Sequence, residues 1–408
     1  MDIKKTLLIL IITSVFSNYS SAQTEGIDNT VGKNYNINSK ILEEDREIQV
    51  YVPESYKTSN KEYPVLYVLD GQRFYLYAVS LHQSFLEFDI TPEFIIVGIK
   101  NKYPQRFSHF STGTPKFLNF IENDVISFID KTYRTTNERM VFGWEFGGGF
   151  VIHAMIEKPS LFSGYISASP NPISKKGSRI KALEKLLDEN KDLNTFLYFG
   201  ISSQTPFKSY AEDSDNADYL SELLTTKSPK SFRWKYQKLV GENHRSSSYG
   251  VLYHGLRAYF SYYNTLVYNT VEEFEKSGGI PFMREYYSKR AKKYGFSTDV
   301  PDWTISTAIT SAIDENNYAV FDDLISSFFT NEKLGKLRRS TPYHIAAFYQ
   351  KHKKFNRAID IYNALLLNNP NSERPLNGLG DVYTAMDKKK KAATYYKKAE
   401  ALSNKEKE

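Results

Sequence analysis

The stretch MVFGWEFGGGF, Met140–Phe150, decides the fold. An apolar run ends at Gly143, the chain passes through Trp144, Glu145 and Phe146, and Gly147 then opens the helical pattern GGGFVIHAMIEKP. Glycines on both sides of such a strand-turn-helix junction allow a strained turn that lifts one side chain above a sheet. The side chain lifted here is Glu145. A five-residue glycine pattern also serves simple helix-strand packing, so the surrounding sequence has to say which role applies.

Working outward, the segments REIQVYVPESY, YPVLYVLDGQ, EFIIVGIKN, GYISASP, TFLYFG and FRWKYQKLV are short and rich in β-branched and aromatic residues. Most run into Gly, Asp, Asn or Pro, the pattern of strands closed by turns. Between them lie helix-length stretches such as PKFLNFIENDVISFIDKTY, where Phe117, Phe120, Ile121, Val125, Phe128 and Ile129 fall at three-to-four spacing. Strand and helix in alternation predict an α/β domain, a mostly parallel sheet with helices on both faces, over residues 23–265.

A helical connector is expected over 266–300, and an all-α region over 301–408. In that region Tyr349, Ala358 and Tyr362 recur 34 positions later as Tyr383, Ala392 and Tyr396. This period resembles tetratricopeptide repeats, in which small residues let paired helices approach while aromatics fill the groove. Two units bury too little surface alone, so Trp303 to Phe329 is expected to supply a degenerate third pair.

The chain of 408 residues begins with two lysines, an apolar run from Leu7 to Phe16 and small residues ending at Ala22. That layout predicts a signal peptide over 1–22, cleaved near Ala22, and a periplasmic or secreted protein with no transmembrane segment afterwards. There is no cysteine, which excludes disulfides, thiol catalysis and a cysteine-based metal site. The net charge of +6 comes largely from lysine runs and gives no support to a nucleic-acid partner. His and carboxylate residues lack ligand spacing, so neither metal nor cofactor is expected.

YVPESY, YPVLYVLDGQRF, IIVGIKN, FIENDVISFIDKTYRT, FGWEFGGGFVIHAMIEKPSLFSGYISASP and GENHRSSSYGVLYHGLRAYF together resemble the bacterial esterase family that includes enterobactin esterase and esterase D. Its members have the α/β-hydrolase fold, and the resemblance implies that fold and carboxylic-ester hydrolase ancestry. The family pattern carries serine at the elbow where this chain has Glu145. His244 matches the catalytic histidine, and the backbone N–H of Phe146 matches one oxyanion-hole donor. A second donor is implied near Gly71 or Gln72. The triad acid is unassigned: the family's acid follows a strand equivalent to the one ending at Gly200, but Ile201, Ser202, Ser203 and Gln204 come next, and Glu212 and Asp213 fit a solvated helix start.

Serine attacks an ester carbonyl after histidine takes its proton, and a glutamate cannot replace it simply, because carboxylate attack gives a high-energy anhydride. The expectation is a non-functional serine esterase in which Glu145 occupies the oxyanion hole, bonded to the Phe146 N–H and paired with His244 as a cation. The alternatives are an active hydrolase using Glu145 as nucleophile or general base with His244, and a non-catalytic module binding an ester-like ligand in the pocket or a protein through the repeats.

Overall fold

The computed structural model describes residues 30–203, 208–336 and 340–405. The expected signal peptide lies outside them. Compact unit one takes the chain up to Ser80 and then Phe94–Tyr249; unit two takes Leu81–Glu93 and the chain from Gly250 onward.

The first unit is built on an eight-stranded sheet: β1 Lys33–Ser39, β2 Glu44–Tyr51, β3 Tyr63–Leu69, β4 Ile95–Ile99, β5 Thr135–Trp144, β6 Gly164–Ala168, β7 Phe196–Ser202 and β8 Arg233–Leu239. Their spatial order is β1-β2-β4-β3-β5-β6-β7-β8. The pairs involving β1 and β2 are antiparallel, and all pairs from β4 to β8 are parallel. Every residue of β4, β6 and β7 is buried, as strands covered on both faces require. Strand β2 instead alternates buried and partly exposed positions. The mostly parallel α/β arrangement expected from the sequence is the one found.

The helices are α1 Gly71–Glu87, α2 Gln105–Phe110, α3 Thr114–Phe120, α4 Ser127–Thr132, α5 Phe146–Glu157, α6 Ser178–Glu189, α7 Lys208–Lys227 and α8 Ser247–Tyr259. A wider π turn, Ile121–Ile126, joins α3 to α4 and keeps Ile121, Val125 and Ile126 buried. The chain leaves β3 for β4 on one side and then crosses to β5 on the other. The order therefore reverses between β3 and β5, which places a crevice at their carboxyl ends, where open α/β sheets bind ligands. Asp70 follows β3 there and Glu145 follows β5.

The later helices of the second unit are α9 Val271–Ser277, α10 Gly279–Tyr294, α11 Asp302–Asp314, α12 Tyr318–Phe328, α13 Asn331–Lys336, α14 Thr341–Lys351, α15 Phe355–Asn368, α16 Glu373–Ala385 and α17 Lys389–Lys405. Ile305, Ile309, Phe321, Leu324, Ile345, Tyr349, Ala358, Ile361, Leu379 and Val382 share its core. The pairs α11/α12, α14/α15 and α16/α17 are joined by one and the same turn. In each, the middle residue is left-handed: Asn316 at φ 54°, Lys353 at 58° and Asp387 at 56°. The next N–H reaches back five residues, Asn317 to Ala312, Lys354 to Tyr349 and Lys388 to Tyr383, each at 2.8 Å. This is the Schellman closure of a helix, and its recurrence makes the first pair a structural companion of the other two. Trp303 to Phe329, expected to supply a third helix pair, covers α11 and α12.

Candidate functional site

At the turn after β5, Glu145 adopts φ 57° and ψ −118°, a conformation that a residue with a Cβ rarely takes. Its N–H donates to Ala168 O at 2.9 Å, and its carbonyl accepts from Gly149 N at 2.9 Å and Asn171 N at 3.0 Å. Glycine is needed around it because α5 runs so close to the strands. A Cβ on Gly143 would lie 2.3 Å from Gly147 O, and one on Gly149 would lie 2.3 Å from Asn171 O. The elbow geometry expected from the sequence is thus present, with a carboxylate at its apex.

That carboxylate meets an arginine. Glu145 Oε2 is 3.3 Å from Arg106 Nη1. Arg106 is itself held by Asp70, donating from Nε to Oδ1 at 2.8 Å and from Nη2 to Oδ2 at 2.9 Å. The Asp70 side chain is fully buried and that of Arg106 is 3% exposed, whereas the Glu145 side chain is 28% exposed. Burial alone disfavours charge on Arg106, but the Asp70 contact, helped by Glu145, outweighs it and raises the guanidinium pKa. The first pair is a buried, two-point clamp. The second is a longer, single contact at the cavity wall, worth about 0–1 kcal/mol. Arg106 also lies 5.9 Å from the centre of the Trp144 ring.

His244 lies in the loop between β8 and α8. Its carbonyl accepts from Trp144 Nε1 at 3.0 Å and from Ser247 Oγ at 3.1 Å, and its ring is 5.2 Å from the Trp144 ring. Asn243 Oδ1 shapes this loop by accepting from the N–H groups of Arg245 and Ser246 at 2.9 and 3.1 Å. The sequence leads to the expectation of a cationic His244 paired with Glu145. Burial instead pushes the imidazole pKa down, Glu145 opposes the shift and Arg245 adds to it, so the neutral ring is favoured at neutral pH. The ion pair found on the Glu145 carboxylate is with Arg106.

Gly71 and Gln72 open α1 immediately after β3 and Asp70. A Cβ on Gly71 would lie 2.7 Å from the Gly98 carbonyl carbon, so only glycine fits against β4. The Gln72 amide exchanges two hydrogen bonds with the Asn101 backbone, at 2.7 and 2.9 Å, and ties this turn to the loop after β4. Phe146 begins α5 beside Glu145, with its ring 5.2 Å from that of Phe107. At the turn expected to carry the acid, Ser203 donates its N–H to Leu239 O and accepts from Gly241 N at 3.0 Å. Gln204 lies outside the described residues.

These groups surround a cavity of about 600 Å³, whose wall includes Arg73, Arg106, Trp144, Glu145, Phe146 and Arg245. Phe74, Tyr103, Ser248 and Tyr249 complete it. Trp144, Phe146 and Phe74 give the cavity an aromatic rim. Asp70 and Arg106 escaped the sequence reading; the available signal was a carboxylate directly after a buried strand and an arginine among aromatics in PQRFSHF. Among the described residues no three metal-ligating side chains come together.

A parallel sheet with a strained elbow at its switch point and a histidine loop after the last strand defines the α/β-hydrolase class. The family model described as "Putative esterase" matches residues 39–251, more than half of the chain, and the chain belongs to that family. It is 31% identical over 141 residues to ferri-bacillibactin esterase BesA of Bacillus subtilis, covering 33% of this chain and 47% of that protein. It is 28% identical over 142 residues to the uncharacterised protein YbbA of the same organism, covering 30% and 57%. The match thus spans about half the length of these curated relatives. An IroE-like serine hydrolase from Shewanella oneidensis shares the fold with a TM-score of 0.53 at 23% identity, over 72% of this chain and 98% of that one. An uncharacterised protein from Capnocytophaga ochracea does so with 0.53 at 17% identity, over 90% and 93%.

Proposed function

We propose that this chain is a former serine esterase that has lost its nucleophile and keeps its pocket as a binding site, for an ester ligand of the ferric-siderophore class to which the name ferri-bacillibactin esterase points. The observation that carries this reading is the carboxylate of Glu145 at the apex of the elbow, engaged by Arg106. Without a serine alkoxide only the oxyanion donors and binding remain, the source of roughly 10³ to 10⁴-fold residual catalysis in serine proteases stripped of a triad member. Phe146 N–H and the Gly71–Gln72 turn are the donors we assign. The cationic, aromatic wall suits an anionic aromatic ligand.

The N-terminal leader supports export to the periplasm or beyond. The recurring Schellman turns and the 34-residue period support a tetratricopeptide-like tail that binds a protein partner. A second reading keeps hydrolysis: a neutral His244, electrostatically coupled to Glu145, has the protonation state needed to accept a proton from water.

Short acyl nitrophenyl esters separate the two. The native chain and Glu145→Ala should both stay at background, and Glu145→Ser should gain at least about 100-fold, as restoration of one triad member allows. Hydrolysis by the native chain that collapses in Glu145→Ala would overturn the binding-protein reading.

A further inference from the structure

We infer that Glu145 is a displaceable internal counter-ion, and that an anionic group on an incoming ligand takes its place on Arg106, so that residue 145 sets the charge selectivity of the pocket. This rests on the reading above that the pocket binds rather than hydrolyses.

Three features point to exchange. Arg106 is fixed through Nε and Nη2 by the buried Asp70, so its orientation survives when Glu145 leaves, and Nη1 stays presented to the cavity. The Glu145 backbone is pinned by Ala168, Gly149 and Asn171, so the carboxylate can depart only by side-chain rotation, with the elbow unmoved. The exchange is therefore local. Finally, Arg73 and Arg245, both exposed on the same cavity wall, make no ion pair among the described residues. Counting the buried Asp70 behind Arg106, two carboxylates stand against three guanidinium groups, so the wall keeps a positive excess.

The ligand chemistry that fits is a planar aromatic carrying two or more negative charges. One anion would replace Glu145 on Nη1, a second would meet Arg73 or Arg245, and the ring would lie against Trp144. Arg73 already sits 5.5 Å from the Trp144 ring centre, so an anion bound to it would lie beside the indole.

Calorimetric titration of the full chain with benzene-1,2,4-tricarboxylate and with its neutral trimethyl ester tests the exchange. The tricarboxylate should bind the native protein, and Glu145→Gln, which removes the competing charge and keeps the shape, should bind it about fivefold more tightly, the upper end of what one such contact contributes. Arg245→Gln should weaken it, and the triester should show no dependence on residue 145. Equal or weaker tricarboxylate affinity in Glu145→Gln, with native melting behaviour, would overturn the exchange. Should Glu145→Ser nevertheless gain esterase activity, the lost-nucleophile reading stands and only the exchange fails; native hydrolysis lost in Glu145→Ala overturns that reading and the exchange with it.

Discussion

The elbow and the last helix pairs of the tail both depend on glycines pressed against their surroundings; a Cβ on Gly335 would meet the Ala364 carbonyl oxygen at 2.7 Å, but Gly378 and Gly380 differ from the elbow glycines in what lies opposite. At the elbow, the Cβ of a substituted Gly143, Gly148 or Gly149 would fall on backbone carbonyl oxygens, at 2.3, 2.6 and 2.3 Å. In the tail, Gly378 and Gly380 face the rings of Tyr362 and Tyr396, each at 2.4 Å. A ring can turn; a carbonyl fixed in a sheet or turn cannot. The elbow backbone is therefore specified independently of the side chain at its apex. That is how the turn can carry a glutamate at its apex, whereas helix pairing at Gly378 and Gly380 tolerates change gradually.

Substitutions can break this contrast, read by regional hydrogen exchange so that each unit reports separately. The largest effect should come from Arg106→Ala, which leaves Asp70 buried and unpaired and should cost about 3–5 kcal/mol in the sheet unit. Gly149→Ala should cost about 3 kcal/mol there, because neither helix nor turn can yield. Acid should act on the same unit. Burial first, and Arg46 after it, hold the His109 pKa near about 4 against an ordinary 6.5, although Glu44 opposes them. The unfolded chain then takes up the proton first, so stability is complete above pH 6.5 and falls as the pH drops toward 4, by on the order of 2 kcal/mol. His109→Leu should flatten that slope.

Gly378→Ala in the tail should cost only about 1 kcal/mol, since displacing the buried Tyr362 ring is partly offset by the better helix propensity of alanine. The smallest effect belongs to Gly380→Ala, about 0.5 kcal/mol, because Tyr396 is 37% exposed and is held only through its hydroxyl, which donates to Asp381 Oδ1 at 2.7 Å and lies 3.3 Å from Thr384 Oγ1. If Gly380→Ala proved as damaging as Gly149→Ala, the distinction between yielding rings and fixed carbonyls would fail.

The sheet and elbow were legible in the sequence because both depend on local pattern: runs such as YPVLYVL signal a doubly covered strand, and glycines flanking Glu145 signal the turn. The fit of the helix pairs was legible through the spacing of Tyr349 and Tyr383. Burial of charge was not. Asp70 and Arg106 are common residue types far apart in the chain, and only the crossing from β3 past β4 to β5 brings them together under Glu145. The same limit applies to His244, whose position was readable from GENH but whose protonation depends on how deeply Trp144 and the loop enclose it.

The central claim, that this pocket has lost its serine nucleophile and kept the rest of its frame, is tested most directly by labelling with a fluorophosphonate and locating the adduct by mass spectrometry. The account predicts no adduct on the native chain and a single adduct at position 145 in Glu145→Ser. A stoichiometric adduct on a serine of the native chain, Ser248 at the cavity wall being the nearest test, would contradict it.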